Sequence, residues 1–341
     1  MSIVIKGKES FIIDRTLISI TEKNFNKEEL CEFAINLKCI GVDFFEVDER
    51  TFNLVKPLII SKDFIFRIDS INQLEICQAN DIEYILVKEE TLEFIRIKDI
   101  DRNYNFKIIL EININFYQND FMKEISKNID INKFLSLRFK GESNWFFNDY
   151  MQGKFNVKTS MYASDKFSMA TAIGFQDILK GFDYITTSFC GKDGLDGTTA
   201  LEELLISTKV IMGGEIKGDI GLLSQMREQY EKITYIKLPN NKSVIGKDIF
   251  KYESGVHVAG IEKNPITYEP FRPELIGTKR KLALGKHSGK NSINIKLKEL
   301  GIDNKFSVGE IISILNQVKN KSILNKMEIS DEDFINICSG I

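Results

Sequence analysis

The sequence predicts an α/β protein in two parts: a closed (β/α)8 barrel over residues 1–235, then a smaller, irregular α+β subdomain over 236–341. Three observations carry this. Eight short β-type runs recur within about 230 residues, at intervals that leave room for a helix after each. Several are almost continuously apolar, as strands covered on both faces are. Beyond about residue 235 that rhythm stops, and a turn-rich stretch holding four of the five prolines takes over. Eight strand–helix units are what a TIM barrel requires.

In order, the runs are SFIID (10–14), VDFFEV (42–47), FIFRID (64–69), IEYILV (82–87), FKIILEI (106–112), FLSLRF (134–139), NVKTSMY (156–162) and FDYITTSF (182–189). Three helix-like stretches are clear between and after them: KEELCEFAINLKCIG (27–41), SMATAIGFQDILKG (168–181) and TALEELLISTKVIMGG (199–214). Each has apolar residues at helical spacing and ends on glycine, the residue best suited to the left-handed C-terminal cap. Helical patterns between 82 and 130 are weak. In the second part, helical periodicity returns in NSINIKLKELG and SVGEIISILNQVKNKS. The chain contains no internal repeat.

Composition narrows the function. A net charge of −3, with 28% charged residues, argues against a dedicated nucleic-acid binder, which would carry a basic excess. No apolar run approaches the roughly 20 residues of a membrane helix, and the first residues lack a signal-type core, so a cytoplasmic location is expected. The five cysteines form no CxxC, which predicts reduced thiols; Cys190 reads as a small buried hydrophobe. GKDGLDG (191–197) lacks a phosphate-loop pattern. Asp14, Glu46 and Asp165 sit at strand ends, where solvated or salt-bridged roles are expected. Lys166, beside Tyr162, Asp165 and Asp193, is the one candidate for a Schiff base, against the ordinary role of a solvated lysine.

Both histidines of the chain fall in the second part, His257 in KYESGVHVAGIEKNP and His287 in LGKHSGK. The run ESGVHVAGIEKNPITYEPFRPELIG followed by LGKHSGK resembles the linker subdomain of homocitrate synthases, especially the nitrogen-fixation type, and more loosely that of isopropylmalate synthases. The likeness continues backward through FIIDRTL, GVDFFEV, SMATAIGFQDILKGFDYITTSFCG and GTTALEELL, which look like barrel segments of the same pyruvate carboxyltransferase-like family. The resemblance implies condensation of acetyl-CoA with a 2-oxo acid. It also implies a divalent metal at the barrel mouth that holds the oxo acid and polarises its ketone, and a base that deprotonates the acetyl methyl group.

Read residue by residue, the barrel departs from that pattern. The family's D-x-T-L-R-(D/E)-G motif is here DRTLISI: Asp14, Thr16 and Leu17 are kept, but Ile18 replaces the arginine and Ser19 the carboxylate ligand. The H-x-H metal pair falls on Tyr162 and Ser164, and the asparagine ligand on Thr198. Hydroxyls are poor ligands for Mg²⁺ or Mn²⁺. No metal site is therefore expected in this chain, and its barrel mouth is expected to be chemically silent.

The arm, by contrast, keeps His257 and Tyr268 where the family has its functional histidine and tyrosine. In the family this arm reaches the active site of a neighbouring subunit. The resemblance is closest to the omega subunits of two-chain nitrogen-fixation homocitrate synthases. It implies a homologous, metal-bearing alpha-type partner with Mg²⁺ or Mn²⁺, which receives His257 as proton relay and Tyr268 as hydrogen-bond donor to the oxyanion. Glu253, four residues before His257, would orient the imidazole if the segment is helical. His287 and Ser288 are expected near the CoA phosphates, or in a tight structural turn. The alternatives are a structural or regulatory pseudo-subunit, whose arm only packs an interface, and an isopropylmalate synthase-like or lyase activity on another 2-oxo acid.

Overall fold

A computed structural model gives the fold. It describes all residues except 1–2, 23–24, 94–99, 101–103, 115–129, 142–156, 255–256, 258–259, 262 and 303–305. The chain divides into two compact units, Met1–Leu238 and Pro239–Ile341.

In the first unit a short strand, β1 (Ile3–Ile5), leads into eight parallel strands: β2 (Lys8–Asp14), β3 (Phe44–Val47), β4 (Phe64–Ile68), β5 (Tyr84–Lys88), β6 (Lys107–Ile114), β7 (Ser136–Gly141), β8 (Lys158–Ala163) and β9 (Tyr184–Ser188). Neighbours pair in sequence order, and β9 returns to β2 with Phe11 opposite Tyr184 and Asp14 opposite Thr187. That pairing closes the barrel, so the predicted TIM barrel is the observed one. Every predicted strand is present, shifted by one or two residues. Asn156, the first residue of the seventh run, lies outside the described residues.

What the sequence did not signal is a collar around the barrel. β1 pairs antiparallel with β2 and with β11 (Glu215–Ile216), while β10 (Thr199–Ala200) extends β9. Two- and three-residue strands carry no periodicity to read.

Strand alternation decides the interior. Residues two apart on a strand share a face, and the inward positions change character from one end of the barrel to the other. At one end Ile13, Ile65, Leu86, Ile109 and Tyr184 form an apolar layer, joined by Phe11, Phe44 and Tyr84. Its rings pack at centroid separations of 5.0 Å for the tilted Phe44–Tyr84 pair and 5.4 Å for the stacked Phe11–Tyr184 pair. Two residues further along β3, β6 and β7 stand Glu46, Glu111 and Arg138.

The helices close where glycine permits. Ala170–Lys180 ends at Gly181 (φ 84°) and Leu201–Met212 at Gly213 (φ 61°), both left-handed. Helix Lys27–Cys39 begins at Asn26, whose side chain accepts the Glu28 N–H. Gly174, inside the helix after β8, lets that helix lie flat on the barrel: a Cβ there would stand 2.8 Å from the Thr199 side chain. In the second unit, β12 (Lys251–Tyr252) pairs parallel with β13 (Lys281–Leu282). Helices Lys290–Glu299, Val308–Asn325 and Asp331–Ser339 pack around Leu284, Ile293, Leu297, Ile314, Val318 and Phe334. No helix of the described residues is long and apolar enough to cross a membrane.

Gly174→Val should overpack the helix–barrel contact and cost about 1–3 kcal/mol, measurable as a lower urea midpoint.

Candidate functional site: the barrel mouth and the arm

At the C-terminal ends of the barrel strands, where sites of this fold are built, the charged interior layer meets the residue that follows β2. Arg15 donates from Nη1 to Glu46 and from Nε to Asp193 at 2.5 Å. Arg138 donates from Nη1 to the other Glu46 oxygen and from Nη2 to Glu111. Tyr162 donates its hydroxyl to Asp193 at 2.6 Å. Its ring lies between the cations, with the Arg15 and Arg138 Cζ atoms 4.9 and 5.2 Å from the centroid and Lys140 Nζ at 5.0 Å. Arg138 and Glu46 have no solvent exposure. A cleft of about 1020 Å³ opens beside Tyr162 and Asp193, lined also by Asn113, Lys140, Ser164 and Lys166.

Burial alone would raise the Glu46 carboxyl; the guanidiniums of Arg138 and Arg15 reverse this and hold it at about 2. Burial likewise opposes charge on Arg15 and Arg138, and the facing carboxylates more than restore it. Burial pushes the Tyr162 hydroxyl far above its ordinary range, so it stays a donor. Asp14 differs. It accepts hydrogen bonds from the Thr16 N–H at 2.9 Å and the Thr187 hydroxyl at 3.1 Å, but burial dominates and lifts it to about 7.

The four positions where the family would place metal ligands do not fit a divalent ion. The Ser19 hydroxyl donates to Thr16 O, Tyr162 to Asp193, and Thr198 to Ala163 O, while the Ser164 oxygen accepts the Lys166 N–H. Among the described residues, no group of three or more His, Cys, Asp or Glu side chains is placed to hold a metal. The mouth is filled by ion pairs. Glu46 takes the salt-bridged role, and Asp193 joins it. Asp165 instead caps the following helix by accepting the Ala170 N–H at 2.9 Å. Lys166 Nζ lies 5.8 Å from the Phe167 ring centroid.

Sequence reasoning missed Arg15, Glu111 and Arg138. For the two strand residues the signal was present: FFEV, ILEI and LRF each carry one charge between apolar neighbours on the inward phase.

In the arm, His257 and Tyr268 come together, ring centroids 4.8 Å apart and tilted by 50°. His257 is exposed and Tyr268 is 45% exposed. Gly260 makes the approach possible, because a Cβ there would strike the tyrosine ring. His257 has helical backbone; Glu253 does not. The condition for Glu253 to face the imidazole is therefore unmet, and its Oε1 instead accepts the His287 N–H at 2.7 Å. Ser288 is buried and its Oγ accepts the Gly285 N–H at 2.9 Å, a closed turn that leaves the His287 side chain exposed.

The barrel and the appended unit define the class, a TIM-barrel chain with a linker subdomain. Residues 244–325 match a family model described as homocitrate synthase post-HMGL domain-like. The chain is 37% identical to the homocitrate synthase omega subunit of Clostridium pasteurianum, over 98% of this chain and 97% of that one. It is 36% identical to homocitrate synthase AksA of Methanothermobacter thermautotrophicus over 54% of its length and 46% of the relative's. Hydroxymethylglutaryl-CoA lyase from Pseudomonas aeruginosa shares the fold, with a TM-score of 0.54 at 11% identity, covering 71% of this chain and 97% of the lyase. This chain belongs to the homocitrate synthase family.

Removing one partner of the buried ion-pair cluster leaves others charged and alone. Arg138→Met should cost about 3–5 kcal/mol, seen as a lower Tm. Asp14 fixes a pH dependence. Its folded carboxyl keeps a proton that the unfolded chain sheds above about pH 4, so its contribution to stability declines as pH rises from about 4 to 7. Glu46 runs the other way, with stability lost as pH falls from about 4.5 through about 2. Asp14→Asn should gain roughly 1–3 kcal/mol at about pH 8 and little near pH 4, measured by urea unfolding across that range.

Proposed function

We propose that this chain is the arm-donating subunit of a two-chain homocitrate synthase. Acetyl-CoA and 2-oxoglutarate are the substrates, homocitrate and CoA the products, and the homocitrate serves nitrogenase iron–molybdenum cofactor synthesis. The observation that carries this reading is a contrast. His257 and Tyr268 are paired and presented to solvent, while the chain's own barrel mouth is occupied by guanidinium–carboxylate pairs. The full-length relative's designation as an omega subunit supports a second, alpha-type chain. That partner would bring the divalent cation, Mg²⁺ or Mn²⁺, and the oxo-acid pocket.

On this reading the arm supplies proton chemistry. A carbon–carbon bond forms between the acetyl methyl carbon, once deprotonated, and the ketone carbon of the oxo acid. Water then cleaves the thioester to release CoA. An imidazole titrates near neutrality and can relay the protons these steps move. Tyr268, whose ring lies 4.8 Å from that of His257, would donate a hydrogen bond to the oxygen that gains charge. Glu253 acts indirectly, by holding the 285–288 turn through His287 N–H. The exposed His287 imidazole is left facing outward for the CoA phosphates, and Ser288 holds the turn that presents it.

The isolated chain should show no condensing activity, and a homologous chain with an intact metal motif should restore it. In that mixture His257→Ala should lower kcat on the order of 10²–10⁴-fold with little change in Tm. Tyr268→Phe should lower it on the order of 10²-fold. Full turnover by the isolated chain, or kinetics unchanged in the His257→Ala complex, would sink the proposal. The second of these outcomes, with assembly intact, would favour a pseudo-subunit.

A further inference from the structure

We infer that this barrel has exchanged its divalent cation for a fixed pair of guanidiniums: Arg15 and Arg138 neutralise Glu46, Glu111 and Asp193 from within and close the mouth to metal. The inference stands independently of whether the arm is catalytic.

The argument is one of donors. A divalent ion needs several oxygens or nitrogens free to turn toward it. Among the described residues, the guanidinium network holds three inward carboxylates, Glu46, Glu111 and Asp193, which would be natural ligands for such an ion. Five of their six oxygens already receive a guanidinium donor. One Glu46 oxygen is held by Arg15 and the other by Arg138. Asp193 receives Arg15 Nε on one oxygen, which also takes the Tyr162 hydroxyl, and Arg15 Nη2 at 3.4 Å on the other. Glu111 takes Arg138 on one oxygen and has Lys140 at 4.0 Å from the other. Two guanidiniums deliver the charge of one divalent ion, and Lys140 offsets the third carboxylate. Guanidinium suits this role because it is charged at any accessible pH and offers its donors in a rigid fork.

Tyr162 completes the exchange. It occupies a position where the family places a metal-ligating histidine, yet it donates a proton to Asp193 and lays its ring against all three cations. An imidazole there would turn a basic nitrogen lone pair toward a cation; this hydroxyl is a weaker ligand and its proton is already hydrogen-bonded to Asp193. Ligand loss and guanidinium gain thus meet in one contact. Its charge balance is covalently part of the chain and cannot be removed by a chelator.

Metal titration of the full-length chain tests this. Equilibrium dialysis against MnCl₂ near neutral pH should leave no bound ion, and neither EDTA nor millimolar Mn²⁺ should move the Tm. Stoichiometric Mn²⁺ on the dialysed chain, or a Tm that falls with EDTA, overturns the inference. Arg138→Gln uncovers the carboxylates, so millimolar Mn²⁺ should raise the Tm of that variant by about 2–4 °C or more. A folded Arg138→Gln chain indifferent to Mn²⁺ also overturns it. The dialysis result decides the question even if the variant does not fold. Because activity is read in none of these experiments, the proposed role of the arm is neither supported nor damaged by them.

Discussion

The ion pairs between Arg138 and Glu46, both shut off from solvent, constrain everything else at the barrel mouth. A closed eight-stranded barrel has room inside for one side chain per inward position, and its period of two dictates which. Once Glu46, Glu111 and Arg138 stand on the inward phase of β3, β6 and β7, they share one layer and need one another. Neither charge can be left alone, since an unpaired buried ion costs several kcal/mol. Arg15 and Asp193 extend the same network to the loops, and Tyr162 covers it. Among the described residues, no group of three or more His, Cys, Asp or Glu side chains is left to hold a cation.

That completeness is what makes the arm intelligible. His257 and Tyr268 form a polar aromatic pair with Gly260 cleared beneath it, yet both residues remain exposed. A histidine retained only for packing is ordinarily buried and satisfied on both nitrogens. One held against a tyrosine and left exposed is suited to a surface that arrives from elsewhere. With continuous similarity to an omega subunit along nearly its full length, the losses at 18, 19, 162, 164 and 198 read as substitutions within an intact fold, not as the marks of a different one.

Much of the fold was legible because it rests on local signals. Apolar runs of strand length such as FIFRI and YILVK, and glycines at 181 and 213, announce strands and helix ends without tertiary information. The collar of β1, β10 and β11 was not, since two or three residues have no period. In the arm, a motif singled out His257 and Tyr268, whose rings the fold brings together. The placement of Glu253 was not: its role turned on whether residue 253 is helical, and a neighbouring glycine-rich turn claimed its carboxylate. The charged barrel layer was hidden for another reason. A lone Glu or Arg inside an apolar run reads as noise until the alternation of three separate strands is superimposed, and 27 residues separate even the nearest of those charges, Glu111 and Arg138.

The division of labour between two chains is tested most directly by counting metal in the assembled enzyme. Native mass spectrometry of the reconstituted complex, in Mn²⁺-containing buffer, should find one ion for each pair of unlike chains, retained by the partner after dissociation. Two ions for each pair, with one remaining on this chain, would contradict the account.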